Sequence, residues 1–187
     1  MILLRHGQSW FNHHFSTTRR DPGIEDPELT ALGEAQAEAA ALLLAEQAVG
    51  LTRIIVSPYT RALQTAEPVR RLLPGVPVEV MHEVRERAAF VCDIGSAPDV
   101  LATRFPQHEF GHLPVRWWHE GREPEEVVIG RANAFREVMA ARADEATTLL
   151  VSHWAFILAL TGVSVGNGEM LRYDPRVAAP AQIVWRV

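Results

Sequence analysis

The chain of 187 residues has no lysine: all 18 of its basic residues are arginine. That absence excludes mechanisms built on a Schiff-base lysine or a P-loop lysine. It leaves the cation best suited to gripping phosphate or carboxylate through paired hydrogen bonds. There is one cysteine, Cys92, so no internal disulfide framework forms, and a reducing, cytoplasmic setting is expected. No basic-then-apolar leader precedes Ile2, so no secretory signal is expected. Repeats, low-complexity tracts and evident linkers are also lacking. A net charge of -5 gives no reason to expect a nucleic-acid partner. The run Ala146–Gly168 carries no formal charge and is long enough to cross a bilayer. However, Ser152, His153, Gly162, Ser164, Gly166 and Asn167 interrupt it and acids flank it. It reads as a buried strand, a turn and a buried helix, with no membrane partner.

What is present is an ordinary globular composition, 48% apolar and 22% charged, enough for one domain over 1–187 with a real core. Strand candidates are Ile2–Leu4, Arg53–Val56, Val78–Met81, Leu149–Val151 and Gln182–Arg186. Helix candidates are Thr30–Gln47, Pro58–Leu73, Pro98–Arg104, Pro124–Arg142 and Ala155–Leu160. Thr30 suits an N-cap, and Ser57-Pro58 reads as a cap followed by proline at the first helical position. Pro68 should kink or split its helix. Short apolar strands alternating with helices predict an α/β protein: a three-layer α/β/α sandwich around a mostly parallel sheet. In such folds ligands bind beyond the carboxyl ends of the strands.

Those ends are informative. Arg5-His6-Gly7-Gln8-Ser9 follows the first strand, Ser57-Pro58-Tyr59-Thr60-Arg61 the second, and Ser152-His153-Trp154 a later one. After Val78–Met81, His82-Glu83-Val84-Arg85-Glu86-Arg87 adds carboxylic acids. Any one of these could be a surface turn or a satisfied buried polar group. Arg61 is the odd one, because the helix dipole disfavours a cation in a first turn. An anion between Arg61 and the helix start would explain it. A shared anion pocket explains the whole set.

The same residues resemble the histidine phosphatase superfamily, also called phosphoglycerate-mutase-like. RHGQSWFN is similar to its RHG-[EQ]-S-x-x-N signature. The stretch from Asp26 through Leu29-Thr30, Gly33 and Gln36-Ala37 resembles its D-x-x-L-T-x-x-G-x-x-Q-A segment. Ser57-Pro58 with Arg61-Ala62 and Gln64-Thr65-Ala66 resembles S-P-x-x-R-A-x-Q-T-A, Arg85-Glu86 its R-E pair, and Val151-Ser152-His153 its V-[ST]-H strand end. The resemblance implies a phosphomonoester hydrolase acting through phospho-His6 on a small phosphorylated substrate, with no cofactor and no metal. Arg5, Arg61 and a protonated His153 would hold the phosphoryl oxygens, and Asn12 would donate a neutral hydrogen bond. Gly7 would allow close backbone approach at the phosphate. Glu86 would be the general acid and base, with Glu83 as the alternative. Residues 87–123 would roof the active site, with the Trp117-Trp118 pair in a core and at least one Phe or Arg lining the pocket. Trp154, where many relatives carry a small residue, would narrow it.

Three rival readings differ in class. Phosphoglycerate-mutase-type transfer returns the phosphoryl group to substrate rather than water. A catalytically weak phosphate-ligand binding protein is motivated by Trp154. A zinc hydrolase is motivated by His108-Glu109-Phe110-Gly111-His112, which fits H-E-x-x-H. Against zinc, Pro106 and Pro114 bracket that motif and Gly111 interrupts it. A cysteine phosphatase is excluded because the sixth position after Cys92 is Pro98, not Arg. His13-His14 reads as a solvent-facing pair in a polar loop.

Overall fold

The computed structural model describes every residue except 48, 49, 186 and 187. Its sheet contains β1 (Ile2–Arg5), β2 (Arg53–Val56), β3 (Val78–Val80), β4 (Thr148–Ser152) and β5 (Met170–Arg172), in the order β3-β2-β4-β1-β5. β3, β2, β4 and β1 run parallel, and only β5 is antiparallel, against β1. The register puts Leu3 opposite Leu150 and Ile55 opposite Leu150. Strand period two then sorts the side chains onto two faces. Leu3, Ile55 and Leu150 enter one apolar core. Ile2, Leu4, Ile54, Val56, Leu149 and Val151 enter the other. Strands buried on both faces must read as continuous apolar runs, and these do.

The second face is covered by α2 (Ala31–Glu46), α3 (Thr60–Leu72) and α4 (Pro98–Arg104). The first is covered by α5 (Glu125–Ala140) and α6 (Trp154–Thr161). The expected three-layer α/β/α arrangement is therefore present. The uncharged run becomes β4 and α6, and among the described residues no helix is long and apolar enough to cross a membrane. Trp117 is buried in the core against Tyr59, with Trp118 packed on it.

Four expectations need correction. A helix, α1 (Trp10–Thr18), follows β1 directly. Ser9 and Asn12 form its capping box, with the Asn12 N–H donating to Ser9 Oγ and the Ser9 N–H to Asn12 Oδ1. His13-His14 therefore lies on this helix, His13 exposed and His14 half-buried. The fifth strand is Met170–Arg172, not 182–186. Residues 182–185 form no strand, and Arg186 lies outside the described residues. α3 runs unbroken through Pro68, which is buried with Leu63, Ala66 and Val69. That apolar packing offsets the one backbone bond proline removes. Lastly, Ser57 does not cap α3. The N-cap position is Tyr59, and the capping acceptor comes from Asp26, whose carboxylate takes the Thr60 N–H at 2.9 Å and the Thr60 hydroxyl at 2.8 Å.

Candidate active site

β1 ends where its backbone meets β4: the His6 N–H donates to the Ser152 carbonyl at 3.0 Å. The chain then passes against the start of α2. A Cβ on Gly7 would lie 2.3 Å from the Gly33 carbonyl oxygen, and one on Gly33 would lie 2.1 Å from that of Gln8. Both positions therefore need glycine. This packing fixes the His6 ring. Its Nδ1 lies 2.7 Å from the Gly7 carbonyl, which can only accept. Nδ1 therefore carries the hydrogen, and the neutral ring keeps its lone pair on Nε2. Burial, then the charges of Arg61 and Arg5, hold the His6 pKa well below the usual histidine value.

Arg61 sits in the first turn of α3, 3% exposed, and the anion its position demanded is partly supplied by the chain itself. Its Nη2 pairs with Asp93 at 3.2 Å, its Nη1 donates to the Cys92 carbonyl at 2.9 Å, and its guanidinium lies over the Tyr59 ring. Asp93 is the site residue that sequence reasoning missed. A cation in a helix's first turn was the clue, but Asp93 lies 32 positions away. Arg5 donates through Nη1 to the Val165 carbonyl at 2.8 Å, leaving a buried Nε with no partner.

His153 is fully buried beside His6, ring centroids 5.0 Å apart. Its Nε2 lies 2.7 Å from Ser57 Oγ. Among the described residues the Ser57 hydroxyl has no other hydrogen-bond partner. Ser57 therefore donates, Nε2 accepts, and the ring hydrogen is on Nδ1, which is buried and unpartnered. Burial, then Arg61, His6 and Arg5, hold this ring well below the usual histidine value too. Without an anion beside it the ring is thus biased toward the neutral form, which can still donate from Nδ1; the expected imidazolium is one facing a bound phosphoryl group.

Glu86 accepts the N–H groups of Arg87 and of Ala155, each at 2.9 Å, the latter at the start of α6. Burial and Asp93 raise its pKa to about 7, against the opposing pull of the Arg87 N–H, Arg61 and Arg5. Glu83 is exposed and turned to a different cavity, beside His82.

A cavity of about 410 Å³ joins these groups. Its lining includes Arg5, His6, Asn12, Arg61, Glu86 and Asp93, together with Phe11, Phe90, Arg87, Arg122, Trp154 and Ser164. Asn12 Oδ1 accepts from the Ser9 backbone, the Ser9 hydroxyl and Asn167 Nδ2, so its amide NH2 is the end left to donate. His153 and Gly7 are absent from the lining. Gly7 gives its N–H to Thr65 Oγ1 at 3.1 Å, so its contribution is the shape of the turn. Trp154 is held by its Nε1 on Ser164 Oγ at 2.9 Å. Cys92 also lines the cavity, with its thiol pushed far up by burial and Asp93, and is inert as a nucleophile at neutral pH.

The H-E-x-x-H stretch forms no helix. His108 Nε2 contacts Glu67 at 2.9 Å and His112 Nε2 donates to the Val80 carbonyl at 2.8 Å. Among the described residues no group of three or more metal-ligating side chains occurs.

A model of the histidine phosphatase superfamily (branch 1) matches residues 1–183. The chain belongs to the histidine phosphatase superfamily. Its 2,3-bisphosphoglycerate-dependent phosphoglycerate mutase relative from Caulobacter vibrioides is 42% identical over 65 residues, 35% of this chain and 26% of that protein. The match thus spans about a quarter of the curated relative. Two solved structures share the superfamily fold. Mycobacterial glucosyl-3-phosphoglycerate phosphatase is 24% identical with a TM-score of 0.62, over 91% of this chain and 87% of that one. A phosphoserine phosphatase variant from Entamoeba histolytica, in complex with phosphoserine, is 20% identical with a TM-score of 0.59, over 90% and 87%.

Proposed function

We propose that this superfamily member is a cytoplasmic phosphomonoester hydrolase acting through phospho-His6. The observation that carries the reading is the His6 ring: neutral, its hydrogen committed to Gly7, its lone pair left on Nε2 in a cavity that also holds Arg5, Arg61 and Glu86. Nε2 attacks phosphorus as the bond to the leaving oxygen breaks, and Glu86 gives that oxygen its proton. A carboxyl with a pKa near 7 is well matched to this exchange at neutral pH. Glu86 then takes a proton from water, the water oxygen bonds to phosphorus, and the P–N bond breaks to return the lone pair to His6. Arg5, Arg61 and the Asn12 amide hold the phosphoryl oxygens, with His153 Nδ1 as a neutral donor. The arginines supply the positive charge, so no metal is invoked, and from the expected roof of residues 87–123 it is Arg87, Phe90 and Arg122 that wall the leaving-group side, the middle of the stretch being packed in the core.

The test is turnover of p-nitrophenyl phosphate, with and without EDTA, beside His6→Ala. Undiminished turnover in the variant overturns the phosphohistidine route, and loss with EDTA overturns metal independence. The mutase match favours one second reading, phosphoryl return to substrate. A bisphosphoglycerate-primed mutase assay separates it from hydrolysis.

A further inference from the structure

The stretch that brings Glu86 to the cavity has little secondary structure of its own, a single short turn over His82–Val84. Such segments are mobile unless tied down. This one is tied at nearly every residue, by groups that do not line the cavity. Arg131, on α5, donates through Nη1 to the carbonyls of Glu83, at 2.5 Å, and Arg85, at 3.2 Å. The Ser152 hydroxyl donates to the Val84 carbonyl at 2.7 Å. Arg131 also grips Glu123 with Nε and Nη2, at 3.0 and 2.8 Å. Glu123, with no exposed surface, takes Arg85 Nη2 at 3.1 Å and the Ala88 N–H at 3.4 Å. Its backbone closes the far side, accepting from Arg87 Nε at 3.0 Å and donating to the Ala88 carbonyl at 2.7 Å. A buried carboxylate between two guanidiniums adds little net stability over an apolar packing of equal volume. Its value here is geometric, because these bonds fix the backbone on both sides of one residue.

We infer that Glu123 and Arg131 are positioning residues for Glu86, clamping segment 83–88 so that the Glu86 carboxyl stays against the Ala155 N–H and in the cavity. The inference rests on the hydrolytic role proposed for Glu86 and assigns its support to residues that touch no substrate. The charged groups that act on Glu86, Asp93, Arg61 and Arg5, are bonded by neither Glu123 nor Arg131.

The experiment compares two leaving groups in Glu123→Gln and Arg131→Lys, reading single-turnover phosphorylation of His6. Glycerolate needs a proton to leave, whereas p-nitrophenolate does not. With glycerol phosphate the rate falls by about tenfold or more, while with p-nitrophenyl phosphate it stays within about threefold. The alkaline limb of the glycerol phosphate profile also moves to lower pH as the carboxyl meets water. Arg131→Lys keeps a cation beside Glu123 but loses the forked bonds to the two carbonyls, which separates loss of positioning from loss of folding. Equal losses on both substrates, or unchanged glycerol phosphate rates, overturn the inference alone. Wild-type protein that forms no phosphohistidine overturns both the inference and the reading beneath it.

Discussion

His6 and His153 stand at the ends of neighbouring parallel strands and have the same tautomer, yet they present opposite faces. In His6 the Nδ1–H is used by a backbone carbonyl, and the lone pair on Nε2 is left over. In His153 the lone pair is used by a serine hydroxyl, and the Nδ1–H is left over. On the proposed mechanism the first ring is the nucleophile and the second a hydrogen-bond donor, although burial and the same two arginines hold both below the usual histidine pKa. The difference lies in which ring nitrogen meets a neighbour that can only accept.

Changing either ring tests this contrast. His6→Ala should cost at least about 10⁴-fold in kcat and abolish acid-labile labelling of the protein by radioactive phosphate ester. His153→Ala should cost about 10²–10³-fold, as for loss of one preorganised donor, while labelled His6 still accumulates slowly. Equal effects of the two changes would erase the distinction. Ser57→Ala should lower kcat by about tenfold, because Nε2 loses the donor that holds the hydrogen on Nδ1. Nitrogen NMR of His153 should then show mixed tautomers while His6 keeps its hydrogen on Nδ1.

The smallest expected effect is on stability. Glu86 has a folded pKa raised above its unfolded value, so the stability it contributes is fully present below about pH 4 and lost as pH rises through about 7. Glu86→Gln should therefore gain on the order of 1–3 kcal/mol at pH 8 relative to pH 4, read by denaturant titration. The two histidines act with the opposite sign. Their depressed pKa values withdraw stability as pH falls below about 6.5, where the unfolded rings take up protons.

The apolar strands were legible because burial on both faces leaves nothing else for β1, β2 and β4 to be. β2 and α4 fall on their expected residues, and α2 ends within a residue of its expected bounds. The misses share a cause, since context decided them rather than composition. α1 is built from Trp, Phe, Asn and His, weak helix formers, and is started by a Ser9-Asn12 box whose Asn12 is also wanted at the cavity. Residues 182–185 have the stronger β propensity, but the place beside β1 goes to Met170–Arg172, a three-residue edge strand with no pattern long enough to read. At the site, arginine and histidine showed themselves by occurring at successive strand ends. Asp93 did not, because the carboxylate that balances Arg61 arrives from a loop that no periodicity connects to it.

Asp26 also bears on how the pocket forms in time. Its backbone adopts a left-handed φ of 39°, and its carboxylate binds Thr60 and Ser96, contacts that span 34 and 70 residues of chain. The start of α3, which carries Arg61, therefore lacks its cap until the loop between Asp26 and Thr60 has closed, and loop closure is slow relative to local helix formation. The turn that carries Arg61 is thus fixed by a tertiary contact rather than by a cap of its own. Native-state exchange of the Thr60 amide reads how often that cap opens.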